Sequence, residues 1–264
     1  MNNYKKIVMT AFLLMGMSAA TLAQDPAAKG LEIAKAAEEA DLGFESSKVN
    51  LMMVLTNKHG QESTRDMSTL TLELNEDGDK SLIVFNSPKD VKGTSTMTYT
   101  HKVGSDDQWL YLPSIKRVKR ISSDNKSGPF MGSEFAYEDL SSQEVEKYTY
   151  KFLREENING VAAYVVERDP VDPKSGYTRQ VVWYHKENYR LEKVDFYDRK
   201  NVLMKTLTYD KYRQYLGKHW RAGEFLMVNH QSGKKTKLSF QDYEFKTGLT
   251  ENDFTQNSLR RVGS

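Results

Sequence analysis

Cysteine is absent from all 264 residues of the chain. A disulfide framework is therefore excluded, and so is a lipid anchor attached to a cysteine behind a leader peptide. Proline is scarce, with 6 residues, and no Pro/Ser/Gly-rich linker interrupts the chain. Because all-β domains of 200 to 250 residues are common as single units, the sequence predicts one domain over residues 24–264.

An excess of charge of either sign is also missing. The chain carries 38 Lys and Arg residues against 36 Asp and Glu residues. Lys5 and Lys6 precede the first acidic residue, Asp25, so the chain after a cleaved leader has 38 − 2 = 36 basic residues against 36 acidic ones. A neutral chain argues against bulk nucleic-acid binding, and any electrostatic function then depends on local clusters of charge.

Metal-binding and catalytic motifs are missing as well. The five histidines have neither the spacing nor the cysteine neighbours of a metal site: His59, His101, His185, His219 and His230. There is no Gly-x-Ser-x-Gly motif and no glycine loop that would hold a phosphate. The adjacent carboxylates Asp106–Asp107 and Glu138–Asp139 would diverge on a strand and usually face solvent on a loop. The sequence predicts no metal, no cofactor, no catalytic residue and no enzyme.

The one long apolar run spans Ile7 to Met17, which is too short to cross a bilayer as a stable helix. Lys5 and Lys6 precede it, and small residues follow it as far as Ala23. This pattern is typical of a cleavable signal peptide over residues 1–23. The sequence therefore predicts an exported, non-lipidated protein that begins at Gln24 and works in the periplasm.

Most of the remaining chain alternates apolar and polar residues, as Val49 to Leu55 does. Such runs, bounded by turn residues, predict about eleven β-strands. The connections are short, so neighbouring strands are expected to be antiparallel. At this strand number a single antiparallel meander is expected to curl into a barrel or half-open barrel. Runs such as Leu82–Phe85 are apolar on both faces, which predicts that both faces of the sheet are covered.

Helices are expected only at the two ends of the domain. Asp25 and Pro26 form a cap-and-proline start for an amphipathic helix that ends at Gly43. Near the other end, Gly248 to Phe254 is typical of a single helical turn, with Phe254 as an apolar plug.

The stretch Gln108–Leu140 differs from the rest of the chain, because it joins an aromatic strand end, a basic run and a loop rich in glycine and aromatics. The four cations of the basic run alternate with aliphatic residues: Lys116, Arg117, Lys119 and Arg120. Two interpretations remain open. The run is either a solvated edge strand or a contact for lipid phosphates or an acidic partner, where each cation contributes about 1 kcal/mol.

Two motifs in this stretch, Gln108-Trp-Leu-Tyr-Leu-Pro113 and Phe130-Met-Gly-Ser-Glu-Phe-Ala-Tyr-Glu-Asp-Leu140, resemble the outer-membrane lipoprotein-sorting-like family. That family is related in fold to the periplasmic carriers LolA and LolB. The resemblance implies a mainly β fold: an unclosed antiparallel barrel, with short helices covering its concave side and an apolar cavity for acyl chains. It also implies pairing with inner-membrane exporters of the resistance-nodulation-division (RND) type.

These features together predict a monomeric periplasmic carrier that shields lipid or lipoprotein acyl chains and touches membrane surfaces transiently. The basic run is predicted to meet head groups or a partner. Six residues are predicted at the cavity mouth and lid: Trp109, Tyr111, Phe130, Met131, Phe135 and Tyr137.

Two alternatives remain open. One is an accessory subunit of an RND exporter whose cavity is filled by its own side chains, and the other is an envelope hydrolase built from converging carboxylates. A cavity below about 300 Å³ would be small for a lipid chain.

Overall fold

A computed structural model describes residues 24–74, 76–241 and 243–262 of the chain. The predicted signal peptide, residues 1–23, lies outside these ranges. No helix within the described ranges is long and apolar enough to cross a membrane.

The structure is dominated by β-strands, most of which coincide with the predicted ones. In chain order the strands are β1 Ser46–Thr56, β2 Glu62–Leu72, β3 Lys80–Ser87, β4 Ser95–Tyr99, β5 Asp107–Leu112, β6 Arg117–Ile121, β7 Tyr148–Ile158, β8 Val161–Pro170, β9 Tyr177–His185, β10 Leu191–Asp198, β11 Leu203–Asp210, β12 Arg213–Tyr215, β13 His219–Arg221, β14 Glu224–Asn229, β15 Lys235–Phe240 and β16 Glu244–Phe245. The count of about eleven left out the short strands and the basic run. The run forms β6 at one edge of the sheet, as one of its two interpretations expected.

Fourteen strands form one antiparallel sheet. Thirteen of them follow the order β6-β5-β4-β3-β2-β1-β15-β14-β11-β10-β9-β8-β7, and β16 also pairs with β1. The chain starts at the centre with β1, steps out to the edge strand β6, crosses to the opposite edge strand β7 and returns to the centre at β15. We call residues 122–147, which make this crossing, the crossing segment. The predicted fold, a mainly β antiparallel sheet that does not close into a barrel, is confirmed.

The opening helix is also confirmed. Helix α1 spans Pro26–Asp41, and the Asp25 carboxylate accepts a hydrogen bond from the backbone N–H of Ala27 at 3.2 Å. Gly30 lies so close to β7 that an added Cβ would sit 2.8 Å from the backbone nitrogen of Phe152. The helix is therefore seated directly on this edge strand. Helix α2 spans Gln256–Val262, and 3-10 turns lie at Pro113–Ile115, Ser123–Asn125, Phe130–Gly132, Tyr137–Leu140, Val145–Lys147 and Glu251–Asp253.

One face of the sheet, which we call the inner face, encloses a single apolar core. Its buried side chains come from strands on both sides of the centre, among them Met53 on β1, Phe85 on β3, Val182 on β9 and Met227 on β14. Because side chains of distant strands join one cluster, the sheet must curl toward this face. Helix α1 contributes Ile33 and Ala34 to the same cluster.

The opposite, outer face carries a separate core over β3–β5, covered by the C-terminal segment. Phe254 and Leu259 are fully buried there against Leu82 and Met97. The hydroxyl of Ser95 donates a hydrogen bond to the carbonyl of Leu259 at 2.9 Å. The prediction that Phe254 plugs an apolar site is confirmed, and both faces of β3 are covered as expected.

Candidate ligand cavity

Part of the inner face is filled by a tight loop of the crossing segment. The backbone N–H of Phe130 donates to the carbonyl of Phe135 at 2.7 Å, and that of Tyr137 donates to Gly128 at 3.1 Å. This pairing turns both phenylalanine rings into the core, where Phe130 is fully buried and its ring centre lies 5.7 Å from that of Phe85. The loop that sequence suggests as a lid is packed as a wedge beneath the sheet.

Polar contacts fix this wedge to strands far away in the sequence. The backbone N–H of Glu134 donates to the hydroxyl of Thr236 on β15 at 2.9 Å. The Glu134 carboxylate accepts from the side-chain amide of Asn229 on β14 at 2.6 Å. Asp139 forms an ion pair with Lys205 on β11 at 2.7 Å, and its side chain is only 5% exposed. The expectation that the Glu138–Asp139 pair faces solvent is therefore wrong for Asp139.

Glu138 anchors the next turn of the crossing segment to the β8–β9 connection. Its carboxylate accepts hydrogen bonds from the Ser175 hydroxyl and the Gly176 backbone N–H, both at 2.8 Å. Burial, followed by the neighbouring charge of Asp139, raises the pKa of Glu138. Both carboxylates are thus committed to hydrogen bonds that hold the segment in place.

Beyond the wedge, the inner face of β8–β11 borders a cavity of about 380 Å³. This volume exceeds the 300 Å³ that we set as small for a lipid chain. The rim is formed by residues 102–106, by the turn after β8 and by Ile121 at the end of the basic strand. Val103 and Val171, both on the rim, are 83% and 56% exposed. The opening therefore presents apolar side chains to the surroundings.

Strand register arranges the inner face in rows. The row nearest the rim is mostly polar and runs from Arg168 through Gln180, Phe196 and Lys205 to Asn229. Arg168 lies two residues before the rim residue Pro170, so this row borders the entrance. Two buried cations, Arg168 and Lys205, thus stand on one row.

The next row inward is entirely apolar. It runs through Val166, Val182, Val194, Leu207 and Met227, all of which are buried. Side chains on the same strand face alternate with a period of two, so this row lies beside the polar one on the same face. Val194 and Leu207 of this row line the cavity, so its polar entrance leads to an aliphatic wall.

Arg168 is 5% exposed, and its partners are neutral. Its Nε and Nη2 donate to the Gln180 amide oxygen at 2.8 and 2.6 Å, and Nη2 also donates to the Gln143 amide oxygen at 3.1 Å. The guanidinium carbon lies 4.4 Å from the ring centre of Tyr148. Burial raises the pKa of the nearby Tyr184 phenol, and the guanidinium counteracts part of that rise.

The sequence reading overlooked both buried cations. The available signal is the alternation in β8, which puts Arg168 on the same face as the apolar Val166. A cation at an inward-facing position is unusual, because unpaired charge is costly to bury. Nothing comparable in sequence shows that Lys205 meets Asp139, which lies 66 residues away.

The six residues predicted at the cavity mouth fall on two faces of the sheet. Phe130, Met131, Phe135 and Tyr137 come together in the wedge on the inner face. Trp109 and Tyr111 instead join the outer-face cluster beneath the C-terminal segment.

The four predicted contact cations, Lys116, Arg117, Lys119 and Arg120, are all exposed on or next to the edge strand β6. Arg120 forms an ion pair with Asp107 on β5. β6 ends at Ile121 on the rim, so Arg120 lies next to the entrance of the cavity, and the other three cations follow along this edge of the sheet away from it.

Comparisons with known proteins agree with this architecture. A family model described as "Uncharacterized protein" matches residues 77–261. A search of the curated proteins finds no match. A structure from Vibrio parahaemolyticus, described as an outer membrane lipoprotein-sorting protein domain, is 55% identical, covers 89% of this chain and 100% of its own, and superposes with a TM-score of 0.88.

Two more distant structures share the fold. A DUF1329 family protein from Desulfovibrio piger is 29% identical, covers 89% of this chain and 99% of its own, and has a TM-score of 0.84. A LolA superfamily protein from Nitrosomonas europaea is 22% identical, covers 87% of this chain and 98% of its own, and has a TM-score of 0.70. At that last identity the likeness concerns the fold alone.

Proposed function

The chain belongs to the outer-membrane lipoprotein-sorting-like family, and from this premise we propose that it is a non-enzymatic periplasmic carrier that shields lipid or lipoprotein acyl chains during envelope transport. The observation that carries the proposal is the cavity of about 380 Å³ on the inner face, with an aliphatic row behind its entrance. The LolA-like fold supports a lipid-binding role in general.

The energetics of acyl chains explain the need for such an enclosure. Each methylene moved out of water gains about 0.8 kcal/mol, so a chain of roughly sixteen carbons gains on the order of 12 kcal/mol when it is buried. Transfer through an aqueous compartment therefore requires an apolar container. Leu191 and Val194 on β10 and Leu207 on β11 offer such a lining.

The entrance is suited to a membrane surface. Val103 and Val171 offer exposed apolar contacts, while Lys116, Arg117, Lys119 and Arg120 lie on the strand that ends at the rim. In this proposal the basic strand meets anionic head groups or an acidic partner during loading. A cation near an anionic membrane contributes about 1 kcal/mol to such a contact.

The role of accessory subunit to an RND exporter is supported by a different observation. The wedge fills part of the inner face with the protein's own side chains, notably Phe130 and Phe135. A hydrolase is not favoured, because Glu138 and Asp139, the carboxylates that line the cavity beside each other, are both engaged in the hydrogen bonds that anchor the crossing segment.

The carrier proposal can be tested on the exported protein by lipid extraction with mass spectrometry and by uptake of a fluorescent fatty acid. Leu207→Trp fills the cavity, and Thr208→Trp places the same ring on the exposed face of the same strand as a control. We expect bound amphiphile and fatty-acid uptake in the control and their loss in Leu207→Trp. Absence of any bound amphiphile together with no uptake by the wild-type protein would overturn the carrier function and leave the accessory role.

A further inference from the structure

We propose that the cavity selects an amphiphile with one acyl chain and an anionic head, a carboxylate or a phosphate monoester, and that the guanidinium of Arg168 binds that head. The inference rests on the carrier function and specifies its ligand class. It follows from the surroundings of Arg168, from its position between rim and interior, and from the size of the cavity.

The first observation is a buried cation that has no counter-charge within the described residues. Among the described residues, no carboxylate oxygen lies within 4.0 Å of a nitrogen of the Arg168 guanidinium. A guanidinium has five N–H donors. Three are used by the amide oxygens of Gln180 and Gln143, which occupy Nε and Nη2. The Tyr184 phenol is a further partner of the guanidinium, and it too is neutral. A hydrogen bond from a guanidinium N–H to an oxyanion is stronger than one to a neutral oxygen, so an anionic head group would be favoured here.

The second buried cation on the same row, Lys205, differs from Arg168 because a carboxylate of the protein itself neutralises its charge. Lys205 is 1% exposed and meets the Asp139 carboxylate at 2.7 Å and the Glu134 carbonyl at 2.9 Å. A buried charge is strongly destabilising unless it is paired and hydrogen-bonded. Lys205 has its own carboxylate, whereas Arg168 faces a cavity that can accept one from outside.

The third observation is the order of residues along the cavity. Arg168 lies between the rim residue Pro170 and the apolar Val166 on β8. Behind Arg168 and Gln180, the apolar wall of the cavity is formed by Val194 on β10 and Leu207 on β11. A head group held at Arg168 would therefore have its chain beside the aliphatic row and its free side toward the rim. This order matches a carboxylate or phosphate joined to a hydrocarbon tail.

The size of the cavity sets the number of chains. Ligand cavities usually span about 300 to 1,000 Å³, and this one lies near the lower end at about 380 Å³. The wedge closes the neighbouring part of the inner face with Phe130 and Phe135. The space is therefore suited to one chain, and a lipid with two or three chains would require the wedge to leave.

The test compares fluorescent ligands that share one chain and differ in the head: a fatty acid, its methyl ester, a monoacyl phosphate and a monoacyl phosphocholine. We expect the wild-type protein to bind an anionic ligand about 10- to 100-fold more tightly than the methyl ester, as one charge-assisted hydrogen-bond pair implies. Preference for the fatty acid identifies a carboxylate ligand, and preference for the monoacyl phosphate identifies a phosphate ligand.

Arg168→Met should remove this preference while leaving methyl-ester binding within about twofold. Arg168→Lys, which keeps the charge, should retain part of it even if the methionine variant folds poorly. Arg179→Met is the matched control, because Arg179 lies on β9, pairs with Glu167 and is not among the residues that line the cavity. Circular dichroism and thermal melting check the fold of each variant.

The outcomes separate this inference from the carrier function. If acid and ester bind equally to the wild-type protein, or if Arg168→Met keeps the preference, the anion site is overturned while the carrier function stands. If no ligand with any head binds, the carrier function fails first. A clear preference for phosphocholine would also overturn an anion site.

Discussion

The inner face contains two regions that alternation alone would make alike, yet one is filled and the other is open. Beneath β2, β3, β14 and β15, the wedge contributes Phe130 and Phe135 and makes polar contacts to Asn229 and Thr236. Beneath β8–β11, the strands border the cavity. We call these the filled half and the open half. Whether a sheet face becomes core or container is therefore decided by where the crossing segment lies.

The two buried cations follow the same division. Lys205 lies on β11, where the open half meets the filled half, and it receives a carboxylate from the crossing segment. Arg168 belongs to the open half and has amide oxygens around it. The filled half is occupied by the protein's own side chains, whereas the open half contains the cavity that the proposed ligand would occupy. Substitutions in the two halves can test this division.

Phe130→Ala removes a buried aromatic ring from the filled half. Removing a fully buried phenylalanine typically costs about 3–5 kcal/mol, and we expect the free energy of unfolding in urea to fall by that amount. Leu207→Ala, in the open half, should cost about 2 kcal/mol, because this side chain already borders a cavity. Equal losses for the two substitutions would contradict a difference in packing between the halves.

Asp139→Asn gives Lys205 the amide-only surroundings that Arg168 has. Breaking a buried ion pair typically costs about 3 kcal/mol or more, and Asp139 also accepts hydrogen bonds from Ala136 and Tyr177. We expect a lower melting temperature and greater proteolysis of the crossing segment. Arg168→Met should cost less, about 1–3 kcal/mol, because it breaks no ion pair but leaves the amide oxygens of Gln180 and Gln143 without their donor.

The stability of the fold is expected to depend on pH through the carboxyl group of Glu144. Burial, followed by the negative charge of Asp79, raises its pKa to about 7, and burial raises the pKa of Asp79 to about 6. Because these pKa values are higher in the folded state, the stability linked to the neutral forms is present at acidic pH and is lost as the pH rises through 6 to 7.

We therefore expect Glu144→Gln to raise the free energy of unfolding by about 1 kcal/mol at pH 8, a value reduced by partial solvent screening, and to leave it unchanged at pH 5. Glu146→Gln, at an exposed position of the same 3-10 turn, is the control. A gain of the same size at both pH values would contradict the assigned pKa. Thermal melts across pH 5–8 provide the measurement.

The smallest effect on stability is expected at the rim. Replacing Lys116, Arg117, Lys119 and Arg120 together by Gln should change the free energy of unfolding by less than about 0.5 kcal/mol, because exposed positions tolerate substitution. Binding to vesicles that contain anionic lipid should weaken by an order of magnitude or more. Unchanged vesicle binding in a sedimentation assay would limit these residues to the role of a solvated edge strand.

The local sequence pattern was sufficient to predict most strands of the sheet and the segments at the two ends of the domain. Alternation identified β1, the Asp25–Pro26 start identified α1, and the apolar Phe254 after a polar turn identified the outer plug. The inner site depends on long-range geometry instead. Alternation puts Trp109 and Tyr111 on one face of β5, but only the C-terminal segment shows that this face is the outer one. Likewise, no local signal places Phe130 beneath Phe85.

The pairing of β1 with β15 at the centre of the sheet affects how the chain folds during synthesis, which begins at the N-terminus. Leu51 on β1 pairs with Phe240 on β15, so this ladder joins residues 189 positions apart. Until β15 has been made, the β15-facing hydrogen-bonding edge of β1 is exposed and can pair with other chains. The nascent protein thus has an unpaired strand edge for most of its synthesis. A chaperone that binds extended segments should therefore increase the yield of folded protein more than it affects the stability of the folded state.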